Sequence, residues 1–191
     1  DGLVYKINDI NLQERLGFTS NSPRWAIAHK FSADSALTEV LNIDIQIGRT
    51  GALTPVAKVK PINIGGVIVS NATLHNEDEI KRKDIRLGDV IKIERAGDVI
   101  PHVIEVDKTK RDKNSKTFKF PDNCPSCGSK TIKEFNTTTK KYDAVRRCIN
   151  DGYGCERISI EKIKHFISKE ALNIDGFGKK VVENFWNLNL I

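Results

Sequence analysis

The four cysteines carry the sharpest chemical signal in this sequence, because all of them fall in one short stretch. They form two pairs, Cys124-Pro-Ser-Cys127 and Cys148-Ile-Asn-Asp-Gly-Tyr-Gly-Cys155. A tetrahedral Zn²⁺ takes four thiolates at about 2.3 Å, and a Cys-x-x-Cys knuckle presents two of them from one tight turn. Gly128 follows the knuckle, where backbone freedom lets the chain leave the turn. The second pair would close the site, so Cys124, Cys127, Cys148 and Cys155 are the expected ligands of a structural zinc. Two disulfides or a redox-active Cys-x-x-Cys would use the same residues. The first needs an oxidising compartment, and the second has no use for Cys148 and Cys155.

Two lysines give a second signal. In Leu3-Val4-Tyr5-Lys6-Ile7-Asn8, alternation puts Leu3, Tyr5 and Ile7 on one face of a strand and Val4, Lys6 and Asn8 on the other. Trp25-Ala26-Ile27-Ala28-His29-Lys30-Phe31 repeats the design, with Ala26, Ala28 and Lys30 sharing a face. By spacing alone a strand lysine is a solvated surface residue; Ala26 and Ala28, however, leave room for a ligand beside Lys30. A third signal is Asn173-Ile174-Asp175-Gly176-Phe177-Gly178-Lys179-Lys180. Gly176 and Gly178 free backbone N–H groups just before a helix start, and Lys179 and Lys180 fall in the first turn, where cations oppose the dipole unless an anion docks. A plain turn has the same spacing.

The elements that must position these residues differ along the chain. From Ile43 to Asp107, β-branched runs at Ile43–Ile47, Leu53–Lys60, Gly66–Ser70, Val90–Arg95 and Val99–Val106 predict five short strands. Between the third and fourth, Asn76 caps a helix with acids at Glu77-Asp-Glu79 and bases at Lys81-Arg-Lys83, a capping-box pattern aligned with the dipole. Three strands, a helix and two strands is the order of an OB-fold, a barrel that commonly binds nucleic acid, although another small barrel fits the same pattern. Gln13–Ser22 reads as turn-rich. Asp107–Lys119 is crowded with Lys and Arg, a solvated linker or a phosphate-tracking surface. After Ile158 the period becomes helical, with stripes at Ile160, Ile163, Phe166, Ile167 and at Val181, Val182, Phe185, Trp186.

Segments this different predict several small modules within the 191 residues. A net charge of +6 and a pI near 9.1 suit a polyanion such as nucleic acid, though charge alone does not establish one. No apolar run has the length of a membrane span and the start lacks a signal-like pattern, so a cytoplasmic protein is expected. The sequence contains no Met, which predicts a piece of something longer.

Several of these stretches together resemble one family. Asp1-Gly2-Leu3-Val4-Tyr5-Lys6 resembles the fourth nucleotidyltransferase motif of the bacterial NAD-dependent DNA ligases, and Pro23-Arg24-Trp25-Ala26-Ile27-Ala28-His29-Lys30-Phe31 resembles the fifth. Ile47-Gly48-Arg49-Thr50-Gly51-Ala52-Leu53-Thr54-Pro55-Val56-Ala57, Val69-Ser70-Asn71-Ala72-Thr73-Leu74-His75-Asn76 and Arg95-Ala96-Gly97-Asp98-Val99-Ile100-Pro101 are similar to that family's OB domain. The Asn173–Lys180 joint resembles its first helix-hairpin-helix element. The resemblance covers essentially the whole chain. It implies a multidomain α+β protein: the end of an adenylation domain (1–40), an OB-fold barrel (41–107), a zinc finger with a basic lead-in (108–156) and the start of a helix-hairpin-helix domain (157–191).

The same resemblance implies NAD, Zn²⁺ and Mg²⁺ as cofactors, nicked double-stranded DNA as partner, a monomer, and a place in replication and repair. In that family NAD adenylates a lysine and releases nicotinamide mononucleotide, AMP passes to the 5′ phosphate of a nick, and the 3′ hydroxyl displaces it with Mg²⁺ present. Lys6 and Lys30 are then expected to flank the adenylate, since positioned cations neutralise charge spreading over phosphate oxygens. Arg24 and Arg49 become candidates for nick phosphates, which Arg grips in a bidentate fork, and Gly176, Gly178 and Lys179 for further DNA contacts. Two departures stand out. The spacing of Cys148 and Cys155 is wider than the family's second pair. The family's nucleophile lies in an upstream Lys-x-Asp-Gly that is absent here, Asp175-Gly176 being preceded by Asn173-Ile174, so this piece alone is expected not to take AMP from NAD. A non-catalytic nucleic-acid-binding protein built of OB and zinc modules explains the charge, barrel and cysteines equally well, but not the two lysine motifs.

Overall fold

The computed structural model describes residues 2–31, 33–95, 100–113, 115–138, 140–150 and 152–191. Strand β1 (Gly2–Lys6) is followed by helix α1 (Ile10–Leu16) and strand β2 (Ala26–Lys30), and the two strands pair antiparallel as a separate sheet. The helix falls partly within the stretch expected to be turns. Asp9 starts it by accepting the N–H groups of Asn11 and Leu12, and no residue of it is buried, so no apolar stripe advertised it in the sequence.

The next five strands are β3 (Asp34–Ile47), β4 (Leu53–Ile64), β5 (Val67–Thr73), β6 (Val90–Arg95) and β7 (His102–Asp107). They close a barrel in the order β3-β4-β5-β7-β6, with helix α2 (Glu77–Lys83) between β5 and β6. All pairings are antiparallel except β5 with β7, which meet in parallel at Thr73 and His102. Three strands, a helix and two strands therefore produce an OB-type barrel.

The barrel begins at Asp34, well before Ile43 and ahead of the expected boundary at residue 41. Asp34–Glu39 pairs with β6 and Val40–Ile47 pairs with β4, so the strand changes partner between Glu39 and Val40, just ahead of a bulge between Val40 and Asn42 in the β4 ladder. The alternation is hidden because inward Thr38 is polar, donating its hydroxyl to the Lys60 carbonyl at 2.6 Å, while Leu37 and Leu41 face solvent. Strand β4 likewise runs past Lys60, through Pro61, because a register shift between Lys58 and Ile62 spares the ladder the missing N–H. Val99, the expected start of the last strand, lies outside the described residues.

Val40, Ile64, Leu74, Ile91, Ile93 and Val103 fill the barrel, and Ile80 of α2 packs into the same core. Burial of each contributes about 2 kcal/mol. Half of the expected capping box forms: the Asn76 side chain accepts the Glu79 N–H at 2.9 Å, but the Glu79 carboxylate pairs with Arg82 and Lys83. The basic stretch after β7 is not simply a solvated linker. Arg111 reaches between Asp84 and the fully buried Asp89, and Phe118 and Phe120 pack on the barrel core, while Lys113, Lys116 and Lys119 stay exposed.

Beyond the barrel, β8 (Thr131–Asn136) and β9 (Lys141–Cys148) form an antiparallel hairpin between the two cysteine pairs. Its residues are mostly exposed or half-buried, which leaves a weak sequence signal. Helices α3 (Glu156–Ile167) and α4 (Lys179–Asn187) follow and share a small core of Ile160, Ile167 and Val182, with Ile163 and Trp186 against it. Phe166, expected on that stripe, is exposed; Phe185 turns instead to Phe177, ring centroids 5.4 Å apart. Among the described residues, no helix is long and apolar enough to cross a membrane.

Candidate functional site

The register of the small sheet brings the two lysines onto one surface. Gly2 lies opposite Lys30, Val4 opposite Ala28 and Lys6 opposite Ala26, and directly opposed residues share a face. Lys6 and Lys30 thus stand at opposite corners of one face, with only Val4 and two alanines between them. Gly2 is required where it is: a Cβ there would meet the His29 carbonyl oxygen at 2.5 Å. Both lysines are exposed, and neither has an ion-pair partner among the described residues. Arg24 is exposed at the entrance to β2, its backbone N–H bound to the Gly17 carbonyl at 3.1 Å. Asp1, part of the first lysine motif, lies outside the described residues.

The four cysteine sulfurs converge, all lying within 4.8 Å of one another. A tetrahedron of thiolates around zinc has sulfur separations of about 3.8 Å, and here Cys124 and Cys155 are 3.9 Å apart and Cys127 and Cys148 3.5 Å apart. The donor set and its dimensions fit a tetrahedral zinc ion. Around the knuckle, Gly128 takes φ 73° and donates its N–H to the Cys124 carbonyl, while the Cys124 N–H goes to the Ser129 carbonyl. The wide second pair is accommodated by a short 3₁₀ turn, Gly152–Gly154, which the Asn150 amide ties down at the Gly154 carbonyl while also reaching Ser129 Oγ and Cys127 Sγ. Burial pushes the Cys148 thiol up to about 12 and raises Cys124. Burial acts upward on Cys127 too, but hydrogen bonds from Ser129 and the neighbouring thiols outweigh it and hold Cys127 at about 6. Burial opposes ionisation of all four sulfurs together, and a bound Zn²⁺ would offset that cost by stabilising the thiolates.

This centre is fused to the barrel. Gly51, in the turn between β3 and β4, has φ +76° and accepts the Cys148 N–H at 2.9 Å; a Cβ on it would meet the Cys148 carbonyl oxygen at 3.2 Å and Ile158 Cδ1 at 3.3 Å. The exposed Arg49 sits in this same turn, so the thiol centre fixes the turn that presents it. Leu53, Cys124, Cys148, Cys155 and Ile158 form one core cluster. Glu77, at the start of α2, supplies a second junction that its sequence position as a first-turn acid did not reveal. Its carboxylate is almost fully buried and meets Lys81 of its own helix, Arg146 of β9 at 3.0 Å and Lys133 of β8 at 3.6 Å. Burial acts to raise the Glu77 carboxyl, but Lys81, Arg146 and Lys133 together hold it at about 2. Arg146 also lies over the Phe120 ring, 5.9 Å from its centroid.

The glycine joint resolves as expected in part. Helix α4 starts at Lys179 with Lys180 beside it, and Gly178 caps it without a side-chain hydrogen bond, its carbonyl accepting the Val181 and Val182 N–H groups. Gly176 takes φ +78° in open space, whereas Gly178 does not need a glycine's conformation. Lys179 is not wholly free, since Glu183 lies 3.9 Å away.

Residues 37–115 match the family model of the NAD-dependent DNA ligase OB-fold domain, and residues 1–34 match that of the NAD-dependent DNA ligase adenylation domain. The chain is 73% identical over 191 residues to a DNA ligase of Pelagibacter ubique, of which it covers 28%, and 55% identical over 191 residues to a DNA ligase of Xanthobacter autotrophicus, of which it covers 26%. Both alignments take in the whole of this chain. It belongs to the NAD-dependent DNA ligase family. The chain spans about a quarter of the length of the curated relatives it matches.

Proposed function

We propose that this chain is the part of an NAD-dependent DNA ligase that holds the adenylate between two lysines and presents the enzyme to nicked duplex DNA. The observation that carries the reading is the register of the β1–β2 sheet, which puts Lys6 and Lys30 on one face with Val4, Ala26 and Ala28 leaving space between them. Each ammonium carries a charge that no carboxylate neutralises among the described residues, so a phosphate is the group that would complete the face. NAD supplies the adenylyl group in this family. Lys6 and Lys30 hold the negative charge that develops on the reacting phosphate as the group moves, and Mg²⁺ would neutralise the remaining phosphate oxygens.

DNA is held by the exposed arginines Arg24 and Arg49, and by the N–H groups at Gly176 and Gly178 with Lys179 beside them. Zn²⁺ bound by Cys124, Cys127, Cys148 and Cys155 is structural in this reading: it makes a zinc finger that keeps the Arg49 turn in place through Gly51. Helices α3 and α4 with their glycine joint are the start of a helix-hairpin-helix domain. Sealing requires a nucleophilic lysine that this sequence lacks, so catalysis belongs to the longer protein.

The test is to measure adenylate formation and nick sealing together with the thermal midpoint in the complete ligase bearing Lys30→Ala or Lys6→Ala. Both activities should fall while the midpoint holds. Parent-rate sealing by both variants would return these lysines to the solvated surface and leave a non-catalytic DNA-binding module as the better reading.

A further inference from the structure

Charges on the β8–β9 hairpin are distributed unevenly. Near its base they are satisfied within the protein: Lys133 and Arg146 meet Glu77 and Asp78 on the barrel helix, and Arg147 meets Asp143 at 3.2 Å and Glu134 at 3.9 Å. At its far end Lys140 and Lys141 are exposed and have no carboxylate partner among the described residues. Beside them Phe135 and Tyr142 face each other across the strands, ring centroids 5.1 Å apart and edge to face, yet they remain 51% and 69% exposed. Two large aromatic rings exposed to water, next to two cations without carboxylate partners among the described residues, form an incomplete surface. Neither the fold nor the thiol centre uses it.

We propose that the hairpin tip is a second DNA-contacting element, in which Lys140 and Lys141 take backbone phosphates and the Phe135–Tyr142 pair packs against the sugar and base edges of the same duplex. The inference rests on the reading that Arg49 contacts duplex DNA. Charge complementarity favours a polyanion, because every acidic group of the hairpin is already engaged by Arg147. Position favours the same duplex: Arg147 donates to Thr50 Oγ1 at 3.2 Å, so the hairpin leaves the barrel at the Arg49 turn. The residues from Arg147 to Tyr142 then carry the tip about 17 Å outward. That distance is about five base pairs along B-DNA. A two-stranded ribbon is also narrow enough to enter the major groove.

The test is binding of the 191-residue chain, with zinc present, to a labelled nicked duplex over a range of salt. The Lys140→Ala/Lys141→Ala variant should bind roughly tenfold more weakly at low salt, with the slope of log affinity against log salt reduced by about two, one for each phosphate that is no longer neutralised. Phe135→Ala/Tyr142→Ala should lose roughly five- to tenfold in affinity at unchanged slope, because stacking is not ionic. Lys140 and Lys141 are exposed, so the thermal midpoint should not move in the lysine variant, and in the aromatic variant it should fall by no more than the loss of one cross-strand ring pair. Parent-like binding and slope in both, alongside weakened binding in Arg49→Ala, would overturn the tip proposal alone and leave that surface to a protein partner. If the parent chain itself fails to bind duplex, this inference and the DNA-binding reading fall together.

Discussion

On the β1–β2 sheet, Lys6 and Lys30 stand in solvent without carboxylate partners among the described residues, whereas in the barrel and its four-thiol module Arg111, Arg146 and Arg147 are each gripped by acids. The two regions use cations for different ends. A cation satisfied by Asp89 or Glu77 contributes to the fold, and removing it would strand a buried charge. A cation left unsatisfied adds little to stability and remains available to a phosphate. Stability and function should therefore separate on the sheet and coincide around the thiol centre, where Gly51 ties the Arg49 turn to Cys148.

The largest effect is expected from the metal. Structural zinc in small modules supplies about 10 kcal/mol of binding free energy near neutral pH, so chelation or Cys148→Ser should unfold the hairpin and the start of α3. Hydrogen exchange should then show β8, β9 and the Gly48 and Gly51 amides of the Arg49 turn losing protection while Ile91 and Ile93 in the barrel keep theirs. Unchanged protection of the hairpin after chelation would remove the structural-metal reading and, with it, the coincidence of fold and function at this centre.

Next in size is Lys30→Ala in the complete ligase, where loss of one electrostatic stabiliser commonly costs ~10² to 10³ in rate. The melting temperature should not change, because Lys30 is exposed on a face without a core. A lowered midpoint would show that the sheet follows the same rule as the barrel.

The junction at Glu77 should come third. Its carboxyl is held at about 2 against an ordinary 4.5, so the unfolded chain takes up a proton at higher pH than the folded one. The stabilisation is complete above pH 4.5 and is lost as pH falls from there through 2, about 3 kcal/mol in all. Glu77→Gln should lower stability at neutral pH by a similar amount and flatten that acid limb in a denaturation series. An acid limb identical to the parent's would place the cost elsewhere.

The smallest effect is expected at Arg49→Ala, which should weaken binding to every duplex alike and reduce the salt slope by about 0.9, since phosphate contacts carry no base information. Loss confined to one DNA sequence would indicate base reading instead.

By itself the sequence determined the chemistry on offer: four thiols at metal spacing, lysines alternating with alanines, a helix capped by Asn76, and enough β-branched alternation to count the strands of the barrel. These are legible because ligand spacing, strand period and capping are local properties. The motif resemblance was likewise local, carried by contiguous stretches. Tertiary structure alone decided the rest. The partnership of Lys6 with Lys30 depends on a register between strands separated by α1. Helix α1 itself and the hairpin bury too little to print a period, and β3 hides its first half behind Thr38, Leu37 and Leu41. The role of Glu77 depends on Arg146, 69 residues further along the chain. An ion pair across that separation leaves no periodic trace, because its two ends are brought together only by the closure of the barrel and the folding of the thiol module against it.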